Sequence, residues 1–178
     1  MRRTQYVIFG HSGFTLFELV VVVAIIAILS SVAIAGLNNL IPRYQVKSAA
    51  QDLRANLQKA KMEAIKSNRA TMVTFTESGG GDQGGYKVRI DRNGNGDFDD
   101  ANETVVDKDF TDKNYKHASL SRASFTNGVS SFQFNALGGP ETPGGGNWSA
   151  GSIKINCSND PNYSIKVYVS RPGRIRIE

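Results

Sequence analysis

The chain has 178 residues, a length that fits one ordinary domain, and its hydrophobic content of 40 % is enough for a compact core. The formal net charge of +5 falls by two, to +3, without Arg2 and Arg3, and this surplus is too small to indicate nucleic-acid binding by itself. The single cysteine, Cys157, excludes a disulfide within the chain and metal or haem motifs built on paired cysteines, so we expect a buried, inert thiol.

A continuous apolar segment follows a short basic leader at the N-terminus. Residues 14–35 contain no polar side chains other than Thr15, Glu18, Ser30 and Ser31. As a helix, this segment would be about 33 Å long, close to the thickness of the hydrocarbon core of a bilayer. The sequence therefore predicts that it can cross a membrane.

Three processing routes fit a basic leader followed by an apolar run. An ordinary secretory signal would be cut after the small-residue pattern that ends at Ala35, although the run is longer than usual and contains Glu18 near its start. A plain membrane anchor would keep the run, with Arg2 and Arg3 on the inner side, and would leave Glu18 without a partner. A carboxylate inside a spanning helix costs on the order of 3 kcal/mol, so such an acid is usually functional and paired.

The third route depends on residues 13–18, GFTLFE. This run resembles GFTLxE, the cleavage motif of type IV pilins and type II secretion pseudopilins, at every specified position. The resemblance implies that a prepilin peptidase cuts after Gly13 and methylates the new amine of Phe14. The apolar run would then stay in the mature protein as an anchor and later as the packing core of a filament. Glu18 would pair with the amine of the neighbouring subunit, and pairing offsets the burial of both charges.

Beyond Ala35 the pattern changes to that of an amphipathic helix. Apolar residues recur every three or four positions, which places them on one helix face. They are Val46, Ala50, Leu53, Leu57, Ala60 and Ala64. Pro42 predicts a bend. One helix from Phe14 to about Ser67 is too long to fit inside a globule of this size, so we expect its first half to project and its second half to pack on a sheet.

From residue 69 onward the apolar period changes to about two, which predicts short strands. The predicted strands are residues 71–76, 86–91, 103–107, 129–134, 152–156, 164–170 and 174–178. Glycine-rich breaks separate some of them, at 79–85 and 138–146. The sequence thus predicts an α+β fold in which a long N-terminal helix packs on an antiparallel β-sheet head. This order of elements resembles the GspH/FimT branch of minor pilins and pseudopilins.

The acidic loop that begins at Asp91 has the spacing of a calcium loop. Oxygen-bearing side chains stand at alternate positions, and Gly96 stands at the sixth. These side chains are Asp91, Asn93, Asn95, Asp97 and Asp99. The bidentate acid usual at the twelfth position is replaced by Asn102, and Glu103 comes one residue late. A hairpin turn at Asn95-Gly96 explains the same residues without a metal, so both interpretations stay open.

The C-terminal segment alternates arginine with apolar residues. Arg174 and Arg176 fall on one face of a predicted strand, Arg171 precedes them, and paired guanidinium groups suit phosphate oxygens. The pattern G-R-x-R resembles the C-terminal motif of FimT-like minor pilins, some of which bind DNA for uptake in natural transformation. A charged edge strand that resists aggregation is the ordinary explanation.

Catalysis finds no support in the sequence. His11 falls in the leader, and His117 has no cysteine, serine motif or metal-ligand spacing near it. We therefore expect a non-catalytic subunit without a cofactor, unless calcium binds the acidic loop.

The expected organisation is a leader at 1–13, a hydrophobic transmembrane and assembly helix at 14–35, an amphipathic half-helix at 36–68 and a β-rich periplasmic head at 69–178. The expected partners are prepilin peptidase, the inner membrane and other pilins or pseudopilins. The protein would reside in the bacterial inner membrane and then in a pilus or pseudopilus. Two alternatives stay open: a minor pilin that binds DNA through its C-terminal arginines, and a membrane-tethered periplasmic ligand-binding domain that never polymerises.

Overall fold

The computed structural model describes residues 13–100 and 102–178, and all of their side chains except those of residues 32–39. The predicted leader, apart from Gly13, lies outside the described residues. The chain divides into two compact units, and the boundary lies between Asn38 and Asn39. The four segments predicted from the sequence stay a prediction.

One long helix, α1, spans Leu16–Ser67. Its bounds agree with the predicted helix to within a turn, and Pro42 lies inside it. Asn68, just beyond its last residue, has a φ of 53°, the left-handed conformation that commonly ends helices. The amide of Arg69 then donates to the carbonyl of Ala64 at 3.2 Å, which satisfies a carbonyl of the last turn.

The second part of α1, residues 39–67, is amphipathic, as predicted. All six residues of the predicted apolar stripe, together with Ala49, are at most 1 % exposed. They belong to the same core cluster as the inward-facing side chains of the strands. Burial of this stripe, rather than helix propensity alone, stabilises this part of the helix against the head.

Nine strands follow the helix within the described residues. They are β1 Thr71–Thr76, β2 Gly85–Ile90, β3 Thr104–Asp109, β4 Ala118–Phe125, β5 Ser131–Phe134, β6 Pro140–Glu141, β7 Gly151–Cys157, β8 Asp160–Val169 and β9 Ile175–Ile177. Short 3-10 turns lie at Lys113–Tyr115 and Thr126–Gly128. Every strand pairing is antiparallel, in two sheets with the orders β3-β2-β1-β5-β6 and β4-β7-β8-β9.

The α+β architecture is confirmed, and all seven predicted strands exist with shifts at their ends. Two strands were missed, β4 and the two-residue β6, and the strands form two sheets rather than one. Aromatic side chains join the sheets. Phe75 of β1 stacks on Phe125 of β4, with ring centroids 5.6 Å apart, and Phe125 lies 4.6 Å from Phe132 of β5. Such pairs stabilise a core beyond their burial alone.

Candidate functional site

The predicted cleavage position lies at the start of the described chain. Gly13 and Phe14 precede α1, and both are exposed. Phe14 is 82 % exposed, and among the described residues no atom lies within 4 Å of the place where a side chain on Gly13 would begin. Cleavage between the two residues stays a prediction.

Glu18 is the third residue of α1. The helix begins directly after Thr15, which acts as its capping residue. The amide of Glu18 donates to Oγ1 of Thr15 at 3.2 Å, and the amide of Leu19 donates to the carbonyl of Thr15 at 3.2 Å. The segment T-L-F-E thus has the sequence pattern of a capping box, and a carboxylate in the first turn is favoured by the helix dipole. Our sequence analysis missed the capping of the helix by Thr15, although the spacing of threonine and glutamate carries the signal.

The first turns of α1 expose an unusual amount of apolar surface. Every described side chain from Gly13 to Ser31 is exposed, including Leu16 at 81 % and Phe17 at 77 %. Soluble monomeric proteins rarely expose a contiguous apolar surface of this extent, so this segment requires a lipid or protein partner.

Within the described residues, no helix combines the length and the apolar character needed to cross a membrane. Residues 32–35 of the predicted span lie outside the residues whose side chains are described.

The acidic loop joins β2 and β3, which form the predicted hairpin. Asp91 begins the loop and is only 7 % exposed. Its carboxylate accepts the amide of Gly94 at 2.6 Å and the amide of Gly96 at 3.1 Å. Both glycines have positive φ, near 78°, which lets the backbone curl around the carboxylate.

The other predicted calcium ligands are exposed, and most of them hold the turn. Oδ1 of Asn93 accepts the amide of Asn95 at 2.9 Å, and Oδ1 of Asn95 accepts the amide of Asp97 at 2.8 Å. Asp99 instead lies 3.4 Å from the guanidinium of Arg89 on β2. Within the described residues, no three side chains of the His, Cys, Asp or Glu type are grouped as a metal site would require.

The three predicted C-terminal arginines are all exposed. Arg171 and Arg174 lie in the turn between β8 and β9, and Arg176 lies in β9. Nη1 of Arg176 is 3.8 Å from Oε1 of Glu178, a weak surface pair.

A group of cations lies across the four-stranded sheet, and our sequence analysis missed it. Register places Arg122 of β4 opposite Lys154 of β7, and Lys154 opposite Lys166 of β8. Arg176 of β9 joins them opposite Tyr168, two residues along β8 from Lys166. We call these four cations the basic face. Like charges directly opposite each other destabilise a sheet, so an anionic partner would stabilise this arrangement.

A depression of about 600 Å³ lies on the basic face. Its lining residues are Ser121, Arg122, Ser124, Ser152, Lys154 and Lys166, all of them cationic or hydroxyl-bearing. Hydroxyl groups beside cations are the usual partners of phosphate oxygens.

Cys157 and His117 lie close together at the end of the same sheet but show no reactive arrangement. Cys157 is 3 % exposed, which confirms the predicted burial of the thiol. Nδ1 of His117 lies 3.4 Å from Oγ of Ser158, which is a long contact. The backbone amide of His117 donates to Oε1 of Gln45 on α1 at 3.0 Å. These contacts are structural.

An exposed apolar helix start beside a GFTLFE motif, together with an amphipathic helix packed on an antiparallel β head, defines a pilin-like subunit. Two family models agree with this class. Residues 9–34 match the prokaryotic N-terminal methylation motif. Residues 49–173, more than half of the chain, match type II transport protein GspH. The chain therefore belongs to the GspH family, whose members are pilin or pseudopilin structural subunits rather than known enzymes.

Among solved structures, the chain is similar to the type IV minor pilin FimU of Pseudomonas aeruginosa strain PAO1, in two crystal forms. The form in space group P65 is 22 % identical with a TM-score of 0.49, and the match covers 74 % of this chain and 91 % of FimU. The form in space group P21 is 20 % identical with a TM-score of 0.49, and the match covers 76 % of this chain and 90 % of FimU. No curated protein sequence matches the chain significantly.

Proposed function

We propose that this protein is a minor pilin or pseudopilin that prepilin peptidase cuts after Gly13 and that then assembles into a type IV pilus or type II secretion pseudopilus. The observation that carries the proposal is the exposed apolar surface from Gly13 to Ser31, which begins directly at the GFTLFE motif. A secretory signal peptidase would discard this surface. Cleavage at Gly13 keeps it for lipid and then for neighbouring helices.

Before assembly, the apolar run of residues 14–35 holds the protein in the inner membrane, with the head in the periplasm. The basic leader stays on the cytoplasmic side, in agreement with the positive-inside rule. Small side chains in this run, such as Ala24 and Ala27, suit close contact between helices.

Glu18 sets the register between subunits by pairing with the amine that cleavage creates at Phe14 of a neighbour. Both charges are then buried among apolar helices, where removal of one partner of an ion pair typically costs about 3–5 kcal/mol. In the separate chain, Glu18 is exposed, its backbone amide donates to Oγ1 of Thr15, and its carboxylate stands at the glutamate position of a capping-box sequence. Capping and pairing therefore need to be separated experimentally.

The variant Glu18→Gln separates capping from pairing, because a capping box accepts either glutamate or glutamine at this position. We expect Glu18→Gln and Glu18→Ala both to abolish incorporation into sheared filaments, while membrane levels of the protein stay normal. Asp112→Asn, which removes an exposed acid from the head, is the matched control and should assemble like the wild type. Normal assembly of Glu18→Gln would show that the charge of Glu18 is not needed.

DNA binding is a second candidate, and the basic face is the observation that favours it. Four cations lie on adjacent strands, with the hydroxyl groups of Ser121, Ser124 and Ser152 beside three of them, and such a surface suits phosphates.

The test is the affinity of the full chain in detergent for duplex DNA over a salt series. Each phosphate contact adds about −0.9 to the slope of log K against log salt concentration. Lys154→Ala with Lys166→Ala should therefore reduce the slope by about two units. Lys87→Ala, on the other sheet and paired with Asp107 at 3.0 Å, is the control. Weak binding with no salt dependence would eliminate this candidate.

A further inference from the structure

Two acidic side chains are buried where the acidic loop leaves β2 and enters β3. Asp91 is 7 % exposed and Glu103 is 1 % exposed. Neither belongs to any ion pair found within the described residues. A buried carboxylate is costly unless hydrogen bonds or a cation compensate its charge.

Compensation of the Glu103 carboxylate is incomplete. Its Oε1 accepts the amide of Arg92 at 3.1 Å, whereas its Oε2 is buried and accepts no hydrogen bond within the described residues. Because Arg92 directly follows Asp91, this contact places the Glu103 carboxylate against the start of the loop. No ion pair within the described residues joins the guanidinium of Arg92 to this carboxylate, and Nε of Arg92 donates instead to the carbonyl of Asn102 at 2.7 Å.

We propose that this loop binds Ca²⁺, with the Asp91 and Glu103 carboxylates as its anionic ligands and the amide oxygens of Asn93 and Asn95 as neutral ones. These residues alternate along the loop as the ligands of calcium loops do. Glu103 stands one residue after the usual twelfth position, and it takes the role of the acid that calcium loops have there. Asp99 is left out of the ligand set, because it contacts Arg89. The proposal concerns the head alone and does not depend on processing or assembly.

The donor set determines the metal and the range of affinity. Carboxylate and amide oxygens are hard ligands that suit Ca²⁺ rather than Zn²⁺ or Cu²⁺. With only two acids, and with the guanidinium of Arg69 packed against Gly94 of the loop, the net negative charge is small. The dissociation constant is therefore expected at about 10⁻⁴–10⁻³ M, the range of extracellular calcium modules.

The test is calorimetric titration of the full chain in detergent with CaCl₂, together with thermal unfolding in about 10 mM CaCl₂ or in EDTA. Calcium should raise the Tm of the wild type by a few degrees, and an equal concentration of Mg²⁺ should raise it less. Glu103→Gln keeps the shape of the side chain and should weaken calcium binding by at least about tenfold. Asp112→Asn, an exposed acid outside the loop, should bind like the wild type.

Two results would overturn the proposal: no saturable calcium binding by the wild type, or unchanged affinity in Glu103→Gln. If Glu103→Gln does not fold, the exposed Asn93 provides the second variant. Loss of affinity in Asn93→Ala then supports the site, and unchanged affinity overturns it. N-terminal processing is measured separately, so a failure here is distinguishable from failure of the proposed assembly function.

Discussion

Packing of the second part of α1 on the head is tested by comparing two leucines of that helix. Leu57 is 0 % exposed in the core cluster, and Leu40 is 62 % exposed. Substitution by alanine removes the same atoms at both positions, so only the environment differs. At Leu57, lost burial and the remaining cavity together should cost about 2–5 kcal/mol. At Leu40 the cost should stay within about 0.5 kcal/mol.

For a chain of this size, a loss of about 3 kcal/mol lowers Tm by roughly 10 °C. The assay is thermal unfolding of both variants in the same detergent, followed by circular dichroism in the strand and helix bands. A fall in Tm confined to Leu57→Ala is the predicted result. Equal shifts for Leu57→Ala and Leu40→Ala would refute the view that this helix face forms the core of the head.

Three further predictions concern the head. Burial raises the pKa of Tyr86 to about 12, and burial also raises the pKa of Tyr115, so the free energy of unfolding should fall as pH rises from 10 towards 12. Tyr86→Phe should make this fall less steep by removing one of the two contributions, and an equally steep fall in the variant would contradict the prediction. A hydrogen bond from Arg43 lowers the pKa of Asp160, so the stability that this pair contributes should be lost as pH falls below about 3.8. Asp160→Asn should therefore flatten the acid side of a profile of Tm against pH. An unchanged acid side would count against the pair. A side chain at Gly85 would lie 2.3 Å from a carbonyl oxygen of β3, so Gly85→Ala should lower the free energy of unfolding in urea by about 1–3 kcal/mol. The control is Gly79→Ala, whose new side chain meets open space and should cost almost nothing. Equal losses in the two variants would refute the clash.

Local patterns were sufficient to predict much of the fold. The stripe from Val46 to Ala64 has a clear helical period, because one face of the helix is buried in the core and the other is exposed. The hairpin of β2 and β3 was predicted from its asparagine-glycine turn. Strand β4 was missed for two physical reasons. It contains no β-branched residue, and a bulge between Leu120 and Arg122 breaks its alternation of buried and exposed positions.

Sites that depend on tertiary pairing were less accessible from the sequence. The basic face appears only when Arg122, Lys154 and Lys166 are brought into register across three strands of one sheet. The unpartnered oxygen of Glu103 depends on burial, which spacing along the chain does not reveal. By contrast, the GFTLFE motif is local, and its residues could be identified from the sequence alone.

Intact mass and N-terminal peptide analysis of the protein from its own membranes tests the central claim most directly. Prepilin processing predicts a mature chain that begins with N-methylated Phe14 and retains residues 14–35. A chain that still begins at Met1 would contradict cleavage at Gly13. A chain that begins at Gly36 would show that the apolar helix is discarded, and the account of assembly through Glu18 would then be wrong.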